Sequence, residues 1–107
     1  MKLPAPIELY FDAAKDAGND APLKAFTQDA TVKDEGRTLS GHDAIAGWWR
    51  ASHDAYGQTA ETRNMREEDG RTIVRAQVTG DFPSSPALLT FSFGLRGDRI
   101  STLEISV

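Results

Sequence analysis

Residues 88–95 read Leu88-Leu89-Thr90-Phe91-Ser92-Phe93-Gly94-Leu95. Leu89, Phe91, Phe93 and Leu95 fall on one face, and Thr90, Ser92 and Gly94 on the other. A period of two is the mark of a strand with one buried face. The same period runs from Thr59 onward. It predicts strands at 59–66, 71–79, 88–95 and 99–107, the last with Leu103, Ile105 and Val107 on one face. Glu67-Glu68-Asp69-Gly70 and Arg96-Gly97-Asp98 read as hairpin turns. The segment Gly80-Asp81-Phe82-Pro83-Ser84-Ser85-Pro86 is too rich in Pro and Gly for a strand interior and interrupts the meander.

Upstream the period lengthens. Ile7, Tyr10, Phe11 and Ala14 recur at i, i+3, i+4 and i+7, one stripe of a helix over about residues 4–17. Pro4 and Pro6 sit in its first turn, where a missing N–H costs little. Gly18 is its stop, and Asn19 or Asp20 caps a short second helix opening at Pro22, with Leu23 and Phe26 inward. An extended stretch, Ala30-Thr31-Val32-Lys33-Asp34, puts Val32 and Asp34 on one face. After a turn at Glu35-Gly36-Arg37, Ser40-Gly41-His42-Asp43 has the spacing of a capping box. It opens a third helix with Ile45, Trp48, Trp49, Ser52 and Tyr56 on one side. Helices first and strands after predict an α+β domain, three N-terminal helices packed on one mostly antiparallel sheet.

The chain has 107 residues, enough for one domain spanning 1–107 and one modest core. Its formal charge of -4, without a Lys/Arg run, speaks against non-specific nucleic-acid binding and against docking on an anionic membrane. It has no cysteine, which removes disulfides, thiolate metal sites and thiol nucleophiles. No apolar run approaches the roughly 20 residues of a membrane span. Met1-Lys2-Leu3-Pro4 lacks the apolar core of a signal peptide, so the expected location is cytoplasmic.

No Gly-x-Ser-x-Gly, phosphate-binding Gly loop or metal-spaced His pair occurs, and neither a metal nor a cofactor is implied. Two roles fit Asp34. It is a turn acid or a partner for Arg37, or it is a pocket acid that moves protons to and from carbon. Two fit Tyr10 as well: a core tyrosine with its hydroxyl at the rim, or a hydrogen-bond donor into a cavity. Trp48 and Trp49 point about 100° apart on a helix and serve a core, a pocket wall or a subunit interface. His53, one turn beyond Trp49, reads as a flank histidine, and His42 as a partner for backbone groups at a helix start. The charged run 63–69 reads as a solvated hairpin end.

The order of these segments is familiar. Short helices lead to Gln28-Asp29-Ala30-Thr31-Val32-Lys33-Asp34, then a turn, then Ser40-Gly41-His42-Asp43-Ala44-Ile45-Ala46-Gly47-Trp48-Trp49. Four strands follow, ending Gly97-Asp98-Arg99-Ile100-Ser101-Thr102-Leu103-Glu104-Ile105. Nearly the whole chain resembles the nuclear transport factor 2-like superfamily, which includes ketosteroid isomerases, SnoaL-like polyketide cyclases and limonene epoxide hydrolase. The resemblance implies a cone-shaped α+β barrel, a strongly curved sheet with helices closing one side over a pocket. It also implies a homodimer through the outer sheet face.

Within the superfamily, Asp34 falls on the position of the isomerase's catalytic aspartate, and Tyr10 on that of its oxyanion-hole tyrosine. The sequence departs from the isomerase elsewhere. Phe26 and Trp49 replace the supporting tyrosines, and Phe91 and Phe93 occupy the region of the second oxyanion-hole acid. Losing one such donor costs roughly 3 kcal/mol. Neither an Asp–Arg–Asp set nor a histidine partner for Asp34 is evident.

Three readings follow. The first is a cofactor-independent isomerase, cyclase or hydratase using Asp34 and Tyr10 on a small apolar molecule. Its expected walls are Phe26, Val32, Trp48, Trp49, Met65, Val74, Phe91 and Phe93. The second is a non-catalytic module that binds a small ligand in the same cavity. The third is a structural homodimer whose pocket is filled by its own aromatics. Residues 82–86 then lie at a pocket rim or at a dimer edge.

Overall fold

The computed structural model describes residues 2–15 and 22–107. Helix α1 spans Ala5–Lys15. Its first turn closes as Glu8 N–H donates to the Pro4 carbonyl at 2.9 Å. The expected stripe of Ile7, Tyr10, Phe11 and Ala14 is buried. Each large side chain on it contributes about 1.5–3 kcal/mol by leaving water, and this packing, more than propensity, holds so short a helix. The Gly18 stop, the Asn19–Asp20 cap and the Tyr56 side chain lie outside the described residues.

The expected second helix is a single 3-10 turn, Leu23–Ala25. Phe26 leaves it to begin strand β1, Phe26–Asp34, where it pairs with Ile100. Glu35 and Gly36 then take positive φ, 52° and 75°. That pair of left-handed residues makes a tight hairpin into strand β2, Arg37–Ser40. The sequence reading had no strand here, because three of its four residues are exposed and no apolar alternation marks it.

Helix α2 spans His42–Tyr56, and no capping box forms at its start. Ser40 stays in the β-ladder opposite Thr31, and Gly41 is the N-cap at φ 86°, with no side-chain cap. The Gly41 N–H instead donates to the Ala30 carbonyl at 2.9 Å. His42 Nε2 bonds the Phe26 carbonyl at 3.1 Å, so the ring serves a backbone group on β1. At the other end Gly57, left-handed at φ 54°, donates to the His53 carbonyl.

Four long strands follow: β3 Thr59–Glu68, β4 Arg71–Thr79, β5 Ala87–Arg96 and β6 Arg99–Ser106. The sheet order is β2-β1-β6-β5-β4-β3. Only the β1–β6 pair is parallel. This is the expected α+β architecture, helices on one side of a curved sheet. Helix α1 packs on β3 and β6, and α2 on β1 and β2.

Phe91, Phe93, Ile100 and Leu103 are buried as strand residues of the core. Val107 is 98% exposed, because the ladder ends one residue earlier. The Tyr10 ring stands edge-on to Phe11, Phe26, Trp49 and Phe93, with centroids 5.1, 6.1, 5.4 and 5.6 Å away. Such pairs add about 0.5–1.5 kcal/mol each beyond area burial.

The outer sheet face is polar at its centre. Arg71 donates to Ser92 Oγ at 2.7 Å, to the Ser92 carbonyl at 2.9 Å and to Thr102 Oγ1 at 3.0 Å. Gly94 lies under this cluster, and a Cβ there would meet Thr102 Oγ1 and Arg71 Nη1.

Candidate functional site

The sheet and its two helices enclose a cavity of about 660 Å³. It opens to solvent where exposed Glu35, Gly36, Pro83, Ser84 and Val107 form its mouth. Residues 82–84 therefore stand at the rim, one of the two places expected for that loop. Helix α1 contributes Tyr10 and Ala14, β1 contributes Asp34, and α2 contributes Trp48, Trp49, Ser52 and His53. Ala60, Val78, Leu89, Phe91 and Ile105 add apolar wall from four strands.

The structure thus brings Tyr10, Asp34, Trp48, Trp49 and Phe91 to one cavity. It leaves out the other five expected wall residues. Phe26, Val32, Val74 and Phe93 are 0% exposed and belong to the packed core behind the wall. Met65 is half-buried against the core from β3, opposite Val74. Strand alternation gives the face of a side chain but not whether a helix covers it, which is why Val32, Met65, Val74 and Phe93 were misplaced, while Phe26 was expected on a helix and instead begins β1.

Asp34 ends β1 on the same face as Val32, half-buried. The Trp48 indole Nε1–H donates to its Oδ2 at 3.0 Å. Among the described residues this is its one hydrogen bond, and Arg37 makes no ion pair with it. One carboxylate oxygen is held by this bond, and the residue lines the cavity. An acceptor fixed in this way is pre-oriented for proton transfer.

Tyr10 is 4% exposed, and its hydroxyl has no hydrogen bond among the described residues. Burial raises its phenol far above the ordinary value, and the charge of Asp34 raises it further. The hydroxyl therefore stays protonated and can act only as a donor or a neutral acceptor. No carboxylic acid stands beside it on β5: Phe91 forms wall there, and Phe93 is core.

His53 is the residue that the sequence undervalued. It is 8% exposed, lines the cavity and stacks on Trp49 with centroids 4.3 Å apart and planes at 23°. Its Nδ1 lies 2.9 Å from the Trp49 carbonyl. A carbonyl only accepts, so Nδ1 carries the proton and the neutral ring has its lone pair on Nε2. That Nε2 is buried with no hydrogen-bond partner among the described residues. Leaving a buried polar atom unpaired costs about 1–3 kcal/mol. The available sequence signal was its place four residues after Trp49, on the same helix face. Among the described residues, no three His, Asp or Glu side chains converge as a metal site. Among the described residues no helix is long and apolar enough to cross a membrane.

Known proteins share this architecture. A Sinorhizobium meliloti protein, a candidate polyketide cyclase, is 40% identical with a TM-score of 0.91, over 97% of this chain and 95% of its own. A Catenulispora acidiphila protein with a ketosteroid isomerase-like fold, solved with trimethylamine, is 19% identical with a TM-score of 0.81. That match covers 99% of this chain and 87% of the other. SalBIII, an epoxide hydrolase/cyclase-like enzyme of pyran ring formation in salinomycin, has a TM-score of 0.73 at 17% identity, over 95% and 87%. No curated protein sequence is a significant match. These likenesses and the helix-covered cone define a nuclear transport factor 2-like domain. Within that superfamily the chain belongs to the SnoaL-like domain family, whose model matches residues 7–102.

Proposed function

We propose that the cavity is the site of a cofactor-independent acid/base enzyme, of the isomerase, cyclase or hydratase type, acting on a small apolar molecule. The observation that carries this reading is the pairing of opposite roles in one cavity. Asp34 is an oriented acceptor, and Tyr10 is a donor that cannot ionise in the ordinary pH range. A carbonyl oxygen beside Tyr10 places its α-carbon proton toward Asp34. The carboxylate takes that proton, the C–H electron pair moves into the enolate, and the Tyr10 hydroxyl bonds the enolate oxygen. The proton then returns to the same or another carbon, and nothing else is consumed. Similarity to a candidate polyketide cyclase and to a cyclase-like enzyme supports a substrate with enolisable carbonyls.

The test is deuterium exchange at the α-carbon of 2-tetralone and other enolisable bicyclic ketones in heavy water. The wild-type protein is expected to accelerate exchange over buffer. Asp34→Asn is expected to lower the rate by about 10²–10⁴-fold, and Tyr10→Phe by about 10²–10³-fold. If the ketones bind but exchange no faster than in buffer, the site is a non-catalytic binding pocket.

The open volume favours both of these readings over a pocket filled by its own aromatics, since Trp48 and Phe91 stand in the wall beside it. We also propose a homodimer through the outer sheet face. Arg75 Nε on that face is buried without a partner among the described residues, and Leu88 is 46% exposed.

A further inference from the structure

We infer that His53 is a second polar anchor of this cavity, accepting a hydrogen bond from a hydroxyl on a ring-shaped ligand. The inference rests on reading the cavity as a small-molecule site, and it adds what that molecule must carry.

Three observations converge. The ring of His53 is fixed on both sides, by the Nδ1–H bond to the Trp49 carbonyl and by the stack on the Trp49 indole. That fixing places a proton on Nδ1, so in the neutral ring the lone pair is on Nε2. Nε2 has no partner among the described residues, although the ring borders the cavity. An acceptor so placed calls for a donor, and buried polar atoms left unpaired in native proteins commonly mark a functional need.

The other polar groups narrow the ligand. Tyr10 donates, so it takes a carbonyl or another acceptor. Asp34 takes a proton. The Nε2 lone pair of the neutral His53 tautomer takes a hydrogen bond from O–H or N–H. The wall between them is aromatic: Trp48, Trp49 and Phe91. The ligand class is therefore a planar ring system with a phenolic or enolic hydroxyl set apart from its carbonyl. Nε2 has almost no accessible surface, although the ring borders the cavity. A hydroxyl pressed into the wall then meets no competing solvent.

The probes are 2-naphthol and 2-methoxynaphthalene, which differ by the donor hydrogen. Wild-type protein labelled with nitrogen-15 in its two histidines is titrated with each. The 2-naphthol is expected to move the His53 Nε2 resonance toward hydrogen-bonded values and to bind about 10- to 100-fold tighter than the ether. In His53→Phe, which keeps the aromatic stack, that preference is expected to fall to near unity while ether affinity is kept. The resonance arm needs no variant, so a poorly folded His53→Phe does not block the test. If naphthol binds with the Nε2 resonance unmoved, or keeps its preference in His53→Phe, the inference is overturned. The Asp34-dependent deuterium exchange is untouched by that result. If neither probe binds, the cavity reading and this inference fall together.

Discussion

Trp48 Nε1 donates to Asp34 Oδ2 across 3.0 Å, tying helix α2 to the last residue of strand β1. Strand β2 lies between the two elements in sequence, and both residues line the cavity. A bond to a charged acceptor has measurable strength, but Asp34 is only half-buried and water screens part of it. A double-mutant cycle of Trp48→Phe and Asp34→Ala in urea unfolding is expected to give a coupling of about 1 kcal/mol. Additive losses would show that the contact contributes nothing to stability.

Tyr10 makes stability depend on alkaline pH. Its phenol ionises more readily in the unfolded chain than in the fold, because burial and then Asp34 raise the native value above the ordinary 10.0. Between the two values the native state holds the extra proton, so stability falls as pH rises. The contribution is whole below about pH 10 and is lost above it, with a slope approaching about 1.4 kcal/mol per pH unit. Urea unfolding at about pH 8 and about pH 11 should show a smaller alkaline loss in Tyr10→Phe than in wild type. Equal losses in the two proteins would contradict this account.

The two halves of the chain were legible to different depths. The apolar stripe of α1 and the alternation of β4 to β6 are written in side-chain type, because one face of each is buried. Strand β2 carries no such mark: Arg37, Thr38 and Ser40 are exposed, and only ladder bonds to β1 make it a strand. Ser40 looked like a cap for the same reason, since its spacing to Asp43 says nothing about the ladder that claims it. At the site, Asp34, Tyr10 and Trp48 were each visible as candidates, but the bond from Trp48 to Asp34 was not. The orphaned Nε2 of His53 is invisible in sequence too, because it depends on what fails to approach it.

Two glycines should respond oppositely to alanine. A Cβ at Gly94 would run into Thr102 Oγ1 and the Arg71 guanidinium, whose mutual bond is part of the outer-face cluster. Gly94→Ala is expected to cost about 1–3 kcal/mol, as other overpacked sites do. Gly47 is exposed within α2, and a Cβ there meets nothing within 4 Å. Gly47→Ala is expected to stabilise by about 0.5–1 kcal/mol, since glycine spends more backbone entropy in a helix. Thermal unfolding of both variants checks the pair, and a stabilised Gly94→Ala would refute the crowding.

The outer face of the sheet carries the last prediction. Inward positions of β4 are Thr72, Val74, Ala76 and Val78, all buried, so Arg71, Ile73, Arg75 and Gln77 face outward. Beside them on β5 stands Leu88, opposite Gln77 and exposed. Half-buried Ile73 and exposed Leu88 give this face apolar area, and the unpaired Arg75 Nε gives it a donor in need of an acceptor. Glu104, opposite Ser92, offers a carboxylate on the same face. A two-fold pairing that sets this face of one copy against the same face of the other covers Ile73 and Leu88 twice, since a two-fold axis makes each contact twice. Sedimentation equilibrium is expected to find a dimer at micromolar concentration. Leu88→Asp should shift it to monomer by placing a desolvated charge in the interface, while circular dichroism and the Asp34-dependent exchange reaction persist. A wild-type chain that stays monomeric as concentration rises would remove the dimer and leave Arg75 Nε to solvent fluctuations.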